Sequence, residues 1–182
     1  MIRAFIAIPV PEEVARMLTG AQTGLEIGRL VPPQNFHITL AYLGEHPEPV
    51  VEDVHTMLDG TRSPAIDIRL EGLGVFGGGK PRSLFAEVQR NRDLSALRKR
   101  VRTAARSAGI ELEHQQYHPH VTLARFGGGL VGEDVAMLQA FISARIARVR
   151  GAFQADLFHL YESRLGSEAP TYTPLADYAL SE

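Results

Sequence analysis

The chain has 182 residues, 45% of them apolar, and its 19 Lys and Arg against 21 Asp and Glu give a formal net charge of −2. That composition supports one buried core, and it excludes a disordered chain and a uniformly basic nucleic-acid coat, though not a local basic groove. With no cysteine, disulfides and thiolate metal ligands are also excluded.

Ile2 to Val10 reads as a strand with Ile2, Ala4, Ile6 and Ile8 on one face and Phe5 on the other. Apolar residues on both faces suit a central strand. The segment is too short and too soon broken by Pro9 to be a signal peptide. No apolar run later in the chain reaches membrane-spanning length. The expectation is a cytoplasmic protein with no membrane partner, working as a monomer.

Pro11-Glu12-Glu13 opens a helix running to about Leu25 on Val14, Met17, Leu18 and Ala21. Val31-Pro32-Pro33 stops it and delivers a strand from Asn35 to Leu43. Pro49 to Leu58 is a second helix, and Ala65 to Leu73 alternates as a strand with one wet face. The loop Gly77-Gly78-Gly79-Lys80-Pro81-Arg82 separates it from a strand at Ser83 to Val88. A third helix, Asn91 to Ala108, buries Leu94, Leu97, Val101 and Ala104 and stops at Gly109. A strand from Tyr117 to Phe126 follows, then a fourth helix over Glu133 to Ala144. Arg148 to Ser163 reads as a long strand or bent hairpin arm, and Tyr172 to Leu180 as a last strand.

Two of these strands carry the same pattern. His37-Ile38-Thr39-Leu40 recurs 83 positions later as His120-Val121-Thr122-Leu123. Residues two apart on a strand share a face. Each copy therefore presents an imidazole beside a hydroxyl while its apolar residues turn to a core. The halves rhyme, which predicts two similar α+β lobes with approximate two-fold symmetry, antiparallel or mixed sheets around a central cleft, and helices outside.

The paired motifs resemble the signatures of the 2H phosphoesterase superfamily. Arg3-Ala4-Phe5-Ile6-Ala7-Ile8, His118-Pro119-His120-Val121-Thr122-Leu123-Ala124-Arg125 and Glu162-Ser163-Arg164-Leu165 narrow the resemblance to its RNA 2′,3′-cyclic phosphodiesterase (2′-5′ RNA ligase) branch, over almost the whole chain. The resemblance implies a single metal-independent, cofactor-free domain over residues 1–182, with interleaved lobes. Its substrate would be the 2′,3′-cyclic phosphate at an RNA 3′ end, or a small cyclic nucleotide. It makes His37 the general acid to the leaving 3′ oxygen and His120 the general base to water. Thr39, Thr122 and Arg125 would bind phosphate oxygens. With a hydroxyl in place of water the same site would form a 2′-5′ linkage.

Histidine suits both proton transfers because its unperturbed pKa is about 6.5, and each transfer contributes roughly 10² to 10⁴ in rate. Fixed hydroxyls and a guanidinium suit a transition state with charge on non-bridging oxygens. Strict alternation, however, gives Arg125 the parity of Val121 and Leu123. Either a bulge or the strand's end re-aims it, or it is a surface arginine. Tyr42 and Phe36 likewise have the opposite parity to His37.

His118 shares the parity of His120 and suggests a metal pair, but no carboxylate or cysteine on that strand completes a site. It reads as a rim or structural residue. The run Arg98-Lys99-Arg100 with Arg102 and Arg106 offers an RNA-binding strip, with Arg98, Arg102 and Arg106 on one helix face, but a solvated outer surface is the favoured reading. Lys80 and Arg82, on the glycine-rich loop, are candidates for substrate binding. Three other functions remain open: a phosphodiesterase for small cyclic or 2′-5′ nucleotides, a non-catalytic RNA-end binding module and, weakest, a metal-dependent hydrolase.

Overall fold

In the computed structural model, which describes residues 1–181, every strand pairing is antiparallel. The elements in chain order are β1 (Ile2–Pro9), α1 (Glu12–Gln22), β2 (Arg29–Leu30), β3 (His37–His46), α2 (Glu48–Asp59), β4 (Ile66–Phe76), β5 (Ser83–Val88), α3 (Arg92–Ser107), β6 (His120–Arg125), α4 (Glu133–Arg145), β7 (Arg150–Ala155), β8 (Leu157–Arg164) and β9 (Thr171–Ala179). The sheet order is β7-β4-β5-β6-β3-β1-β8-β9, with β2 beside β6. Two four-stranded arms thus extend from a junction where the motif strands β3 and β6 meet. The expected α+β architecture is borne out.

Each arm is backed by helices from both halves of the chain. α2 lies against β1 and β9, and α3 against α2 and β3; α1 packs on β7 and α4 on β4. So α1 crosses to the far arm directly after β1, and α3 crosses back just before β6. Fully buried Ile6, Ile8, Ile38, Leu40, Leu84 and Leu97 join sheet to helices in one core. The third helix begins where Asn91 accepts a hydrogen bond from Leu94 N–H at 2.7 Å, a cap worth about 1 kcal/mol.

The first helix ends at Gln22 rather than about Leu25, β3 spans His37–His46 rather than Asn35 to Leu43, and two further elements differ for physical reasons. The arm read as continuous from Arg148 breaks at Asp156: β7 pairs with β4, whereas β8 pairs with β1 in the other arm. Apolar patterning runs through that crossing and so hides it. The second motif strand begins at His120, not Tyr117. Proline has no N–H for a ladder, and Pro119 contributes only its carbonyl, to Val88 N–H at 3.2 Å. Among the described residues no helix is long and apolar enough to cross a membrane.

Candidate active site

β3 and β6 touch through one pairing, Ile38 opposite Val121. Both of these residues are fully buried, so their neighbours along each strand face the other way. Antiparallel geometry then sets His37 across from Thr122, and Thr39 across from His120, with cross-strand Cβ atoms about 4.5–5.5 Å apart. The four motif side chains form one patch, lining a cleft of about 700 Å³ that also takes in Tyr42, Phe76, Ser83, Tyr117 and Arg125.

Each histidine is held alike. His37 Nδ1 lies 2.7 Å from the carbonyl of Asn35, and His120 Nδ1 lies 2.7 Å from the carbonyl of His118. A carbonyl only accepts, so Nδ1 carries the proton in both rings and Nε2 is left for chemistry. Asn35 is itself buried and donates from Nδ2 to the Pro170 carbonyl at 2.8 Å, tying the first motif to the β8–β9 connection.

Aromatic walls surround both rings. His37 packs against Phe5 (centroids 4.9 Å apart) and edge-on to Tyr172 (5.4 Å). His120 packs against Phe76 (4.8 Å) and Phe85 (5.2 Å). Gly74 permits the second wall, since a Cβ there would fall 2.5 Å from the Phe85 ring. Burial, above all, pushes the His37 pKa from its ordinary 6.5 down to about 4. The Asn35 carbonyl opposes the shift, while Arg125 and His120 add to it. His120 is also lowered, chiefly by burial, with the His118 carbonyl opposing and the His118 and Arg125 charges adding. In the empty cleft near pH 7 both imidazoles are neutral.

The bulge that would re-aim Arg125 is present. In the β5–β6 ladder Leu84 pairs with Ala124 but Phe85 with Thr122, so Leu123 is skipped. Leu123 and Ala124 are both buried, and Arg125 emerges on the cleft side. The displaced Leu123 carbonyl accepts from Val31 N–H at 2.8 Å and from buried Gln22 Nε2 at 2.8 Å. Gln22 Nε2 also donates to the Val31 carbonyl at 2.9 Å.

β3 repeats the device: Ile6 pairs with Ala41 but Ala7 with Thr39, skipping Leu40. Tyr42, 57% exposed, thereby joins the cleft against the parity expected for it. The signal was in the sequence. Both motifs continue as Leu-Ala before Tyr42 and Arg125, two consecutive core residues where alternation allows one.

His118 stands at the edge of the site. Its Nε2 is 2.9 Å from Glu87 Oε1, an ion-pair distance, yet this buried nitrogen has no aligned hydrogen bond. Among the described residues no three His, Cys, Asp or Glu side chains converge as a metal site. Arg98 and Arg102, read as solvated outer surface, line the cleft instead. Lys80 and Arg82 are absent from its lining. The Lys80 stem lies beside Gly129, where a Cβ would come within 2.7 Å of it.

Paired imidazoles and hydroxyls on two rigid strands define a candidate acid–base site for a phosphate ester. Comparison with known proteins then places the chain: residues 10–164 match the 2′-5′ RNA ligase superfamily, and the chain belongs to that family. An RNA 2′,3′-cyclic phosphodiesterase of Bacillus subtilis is 31% identical, over 97% of this chain and 96% of its own length. A crystal structure of a phosphoesterase superposes with a TM-score of 0.82 at 26% identity, covering 100% of this chain and 99% of the other. Escherichia coli LigT complexed with 3′-AMP superposes with a TM-score of 0.80 at 25% identity, with 100% and 99% covered. The family resemblance read from the sequence is borne out.

Proposed function

We propose that this chain, one domain of two interleaved lobes, hydrolyses a terminal 2′,3′-cyclic phosphate of RNA to a 2′-phosphomonoester. The observation that carries the reading is the Ile38–Val121 rung with both Nδ1 atoms tied to carbonyls. It leaves two Nε2 atoms on one face, with Thr39, Thr122 and Arg125 beside them. In the reaction the water oxygen bonds to phosphorus and the P–O3′ bond breaks. His120 Nε2 takes the water proton, and protonated His37 Nε2 gives its proton to O3′. The hydroxyls and the guanidinium hold the non-bridging oxygens as their charge grows.

The depressed His37 pKa adds a condition. The acid is unprotonated in the empty site near neutrality, so the bound phosphate anion must raise it, as an opposite charge within hydrogen-bonding reach does. The alkaline limb of kcat should therefore lie at higher pH than that of kcat/KM, because the two profiles report bound and free enzyme. With an RNA 5′-hydroxyl in place of water, the same transfers form a 2′-5′ linkage.

The test is incubation with a short RNA ending in a 2′,3′-cyclic phosphate, with chelator present, resolving the 2′- from the 3′-phosphate product. We expect a 2′-phosphate only, and a rate loss of roughly 10² to 10⁴ in each of His37→Ala and His120→Ala. A 3′-phosphate product, or wild-type turnover in either variant, overturns the assignment of roles. Chelator-sensitive turnover points to a metal-dependent hydrolase, and binding without turnover to an RNA-end binding module.

A further inference from the structure

We propose that the arginine face of α3, formed by Arg98, Arg102 and Arg106, is a track for the phosphodiester backbone of the RNA upstream of the reacting terminus. The proposal rests on the RNA-end reading above and extends it from the terminal nucleotide to the chain behind it.

The cleft does not stop at the histidines. Its lining also takes in exposed Tyr42, Arg98, Arg102 and the segment 111–117, which meets the two arginines. The guanidinium of Arg98 lies over the Tyr117 ring, 4.3 Å from its centroid, and the Tyr117 hydroxyl reaches the Thr39 carbonyl at 3.4 Å. One end of the arginine row is thereby coupled to the first motif strand. Arg102 Nη2 donates to the Glu113 carbonyl at 2.6 Å. Arg106 continues the row on the next turn, beside Glu111.

What these arginines lack is a counter-charge. Among the described residues none of the three forms an ion pair with a carboxylate. Of the acids on the facing segment, Glu113 accepts from Gln115 Nε2 at 2.7 Å, and Glu111 makes no ion pair. Like charges at i, i+4 repel, and burial, followed by the neighbouring arginines, already disfavours the charged form of Arg102. Such a row is relieved by a polyanion. Its members step about 6 Å along the helix axis, a spacing an extended single strand can follow phosphate by phosphate. Tyr42, exposed on the wall of the same cleft, offers a face for a base.

Two probes and two measurements test this. The probes are a fluorescent RNA hexanucleotide ending in a 2′-phosphate, and 2′-AMP. Dissociation constants are measured over a salt series for wild type, Arg98→Gln/Arg102→Gln and Arg102→Gln/Arg106→Gln; the second pair leaves the Arg98–Tyr117 stack in place. Turnover is followed on the cyclic-phosphate hexanucleotide and on adenosine 2′,3′-cyclic phosphate. We expect wild type to prefer the hexanucleotide by about tenfold or more, with the salt slope falling by roughly 0.7 for each arginine removed. Each double variant should lose most of that preference while retaining its melting temperature.

Equal affinity of wild type for the two probes overturns the track. So does an equal loss on both probes in the variants, or an unchanged salt slope. If wild type turns over neither cyclic phosphate while the hexanucleotide preference still depends on the arginines, the track stands and the catalytic reading falls. If turnover is as proposed and the preference ignores the arginines, the reverse holds.

Discussion

On β3 the run His37-Ile38-Thr39-Leu40-Ala41-Tyr42 and on β6 the run His120-Val121-Thr122-Leu123-Ala124-Arg125 follow the same path. Each begins with an imidazole tied through Nδ1 to the carbonyl two residues back, and each skips its leucine in the neighbouring ladder. The copies differ where the bulge releases them. One ends in an exposed phenol, the other in a guanidinium. They differ also in their walls: Tyr172 from β9 closes over His37, whereas Phe76 and Phe85 flank His120. Duplicated backbone geometry leaves the two ends free to differ, and on the proposed reading the guanidinium takes a phosphate and the phenol a base.

The largest expected contrast follows from that difference. Arg125→Ala should lower kcat by about 10² to 10³, the usual cost of losing one transition-state donor. Arg125→Lys should recover only part of it, because a point charge replaces a bidentate fork. Single-turnover kinetics at saturating substrate provide the check, and a fall confined to KM would put Arg125 outside the chemical step.

The next contrast is in acid stability. The His37 pKa is about 4 in the folded chain and about 6.5 when unfolded. The unfolded chain therefore binds more protons between these values. The contribution is fully present above pH 6.5 and is lost as pH falls towards 4, by up to about 3 kcal/mol at this site. Denaturant unfolding at pH 7 and pH 4.5 should show a smaller acid loss in His37→Gln than in wild type. Identical losses would mean that the ring titrates normally.

A smaller effect is expected at Tyr42. Replacement by Ala should weaken nucleotide binding by about 1–3 kcal/mol, as for one lost base–aromatic stack, and Phe should restore it. A defect in both variants would assign the work to the hydroxyl. Smallest is the β6 bulge. Gln22→Leu removes two hydrogen bonds to carbonyls and should cost about 1–2 kcal/mol of stability. A few-fold fall in kcat should accompany it as Arg125 loses its aim. Unchanged kcat in the destabilised variant would leave Gln22 with a purely structural part.

The helices and most strands were legible because their apolar residues recur with the period of one face. Ser83–Val88 matches its expected bounds, and α3 falls within one residue of them. Alternation was also enough to put each histidine beside its threonine. It failed at Tyr42 and Arg125, because a bulge shifts parity by one residue, and only the doubled Leu-Ala records it. The arginine row was visible as one helix face, but periodicity says nothing of what lies opposite a face. That depended on where the turn after α3 returns Tyr117 and the facing segment. The crossing at Asp156 left no local mark at all.

By carrying β8 and β9 into the arm of the first motif, that crossing also joins distant parts of the chain at one pocket. Asn35 finds the Pro170 carbonyl 135 residues further along the chain, and Tyr172 closes the His37 pocket from the final strand. The wall that helps bury the first motif's imidazole thus comes from the opposite end of the sequence, so the surroundings of His37 are complete only when the β8–β9 hairpin is docked.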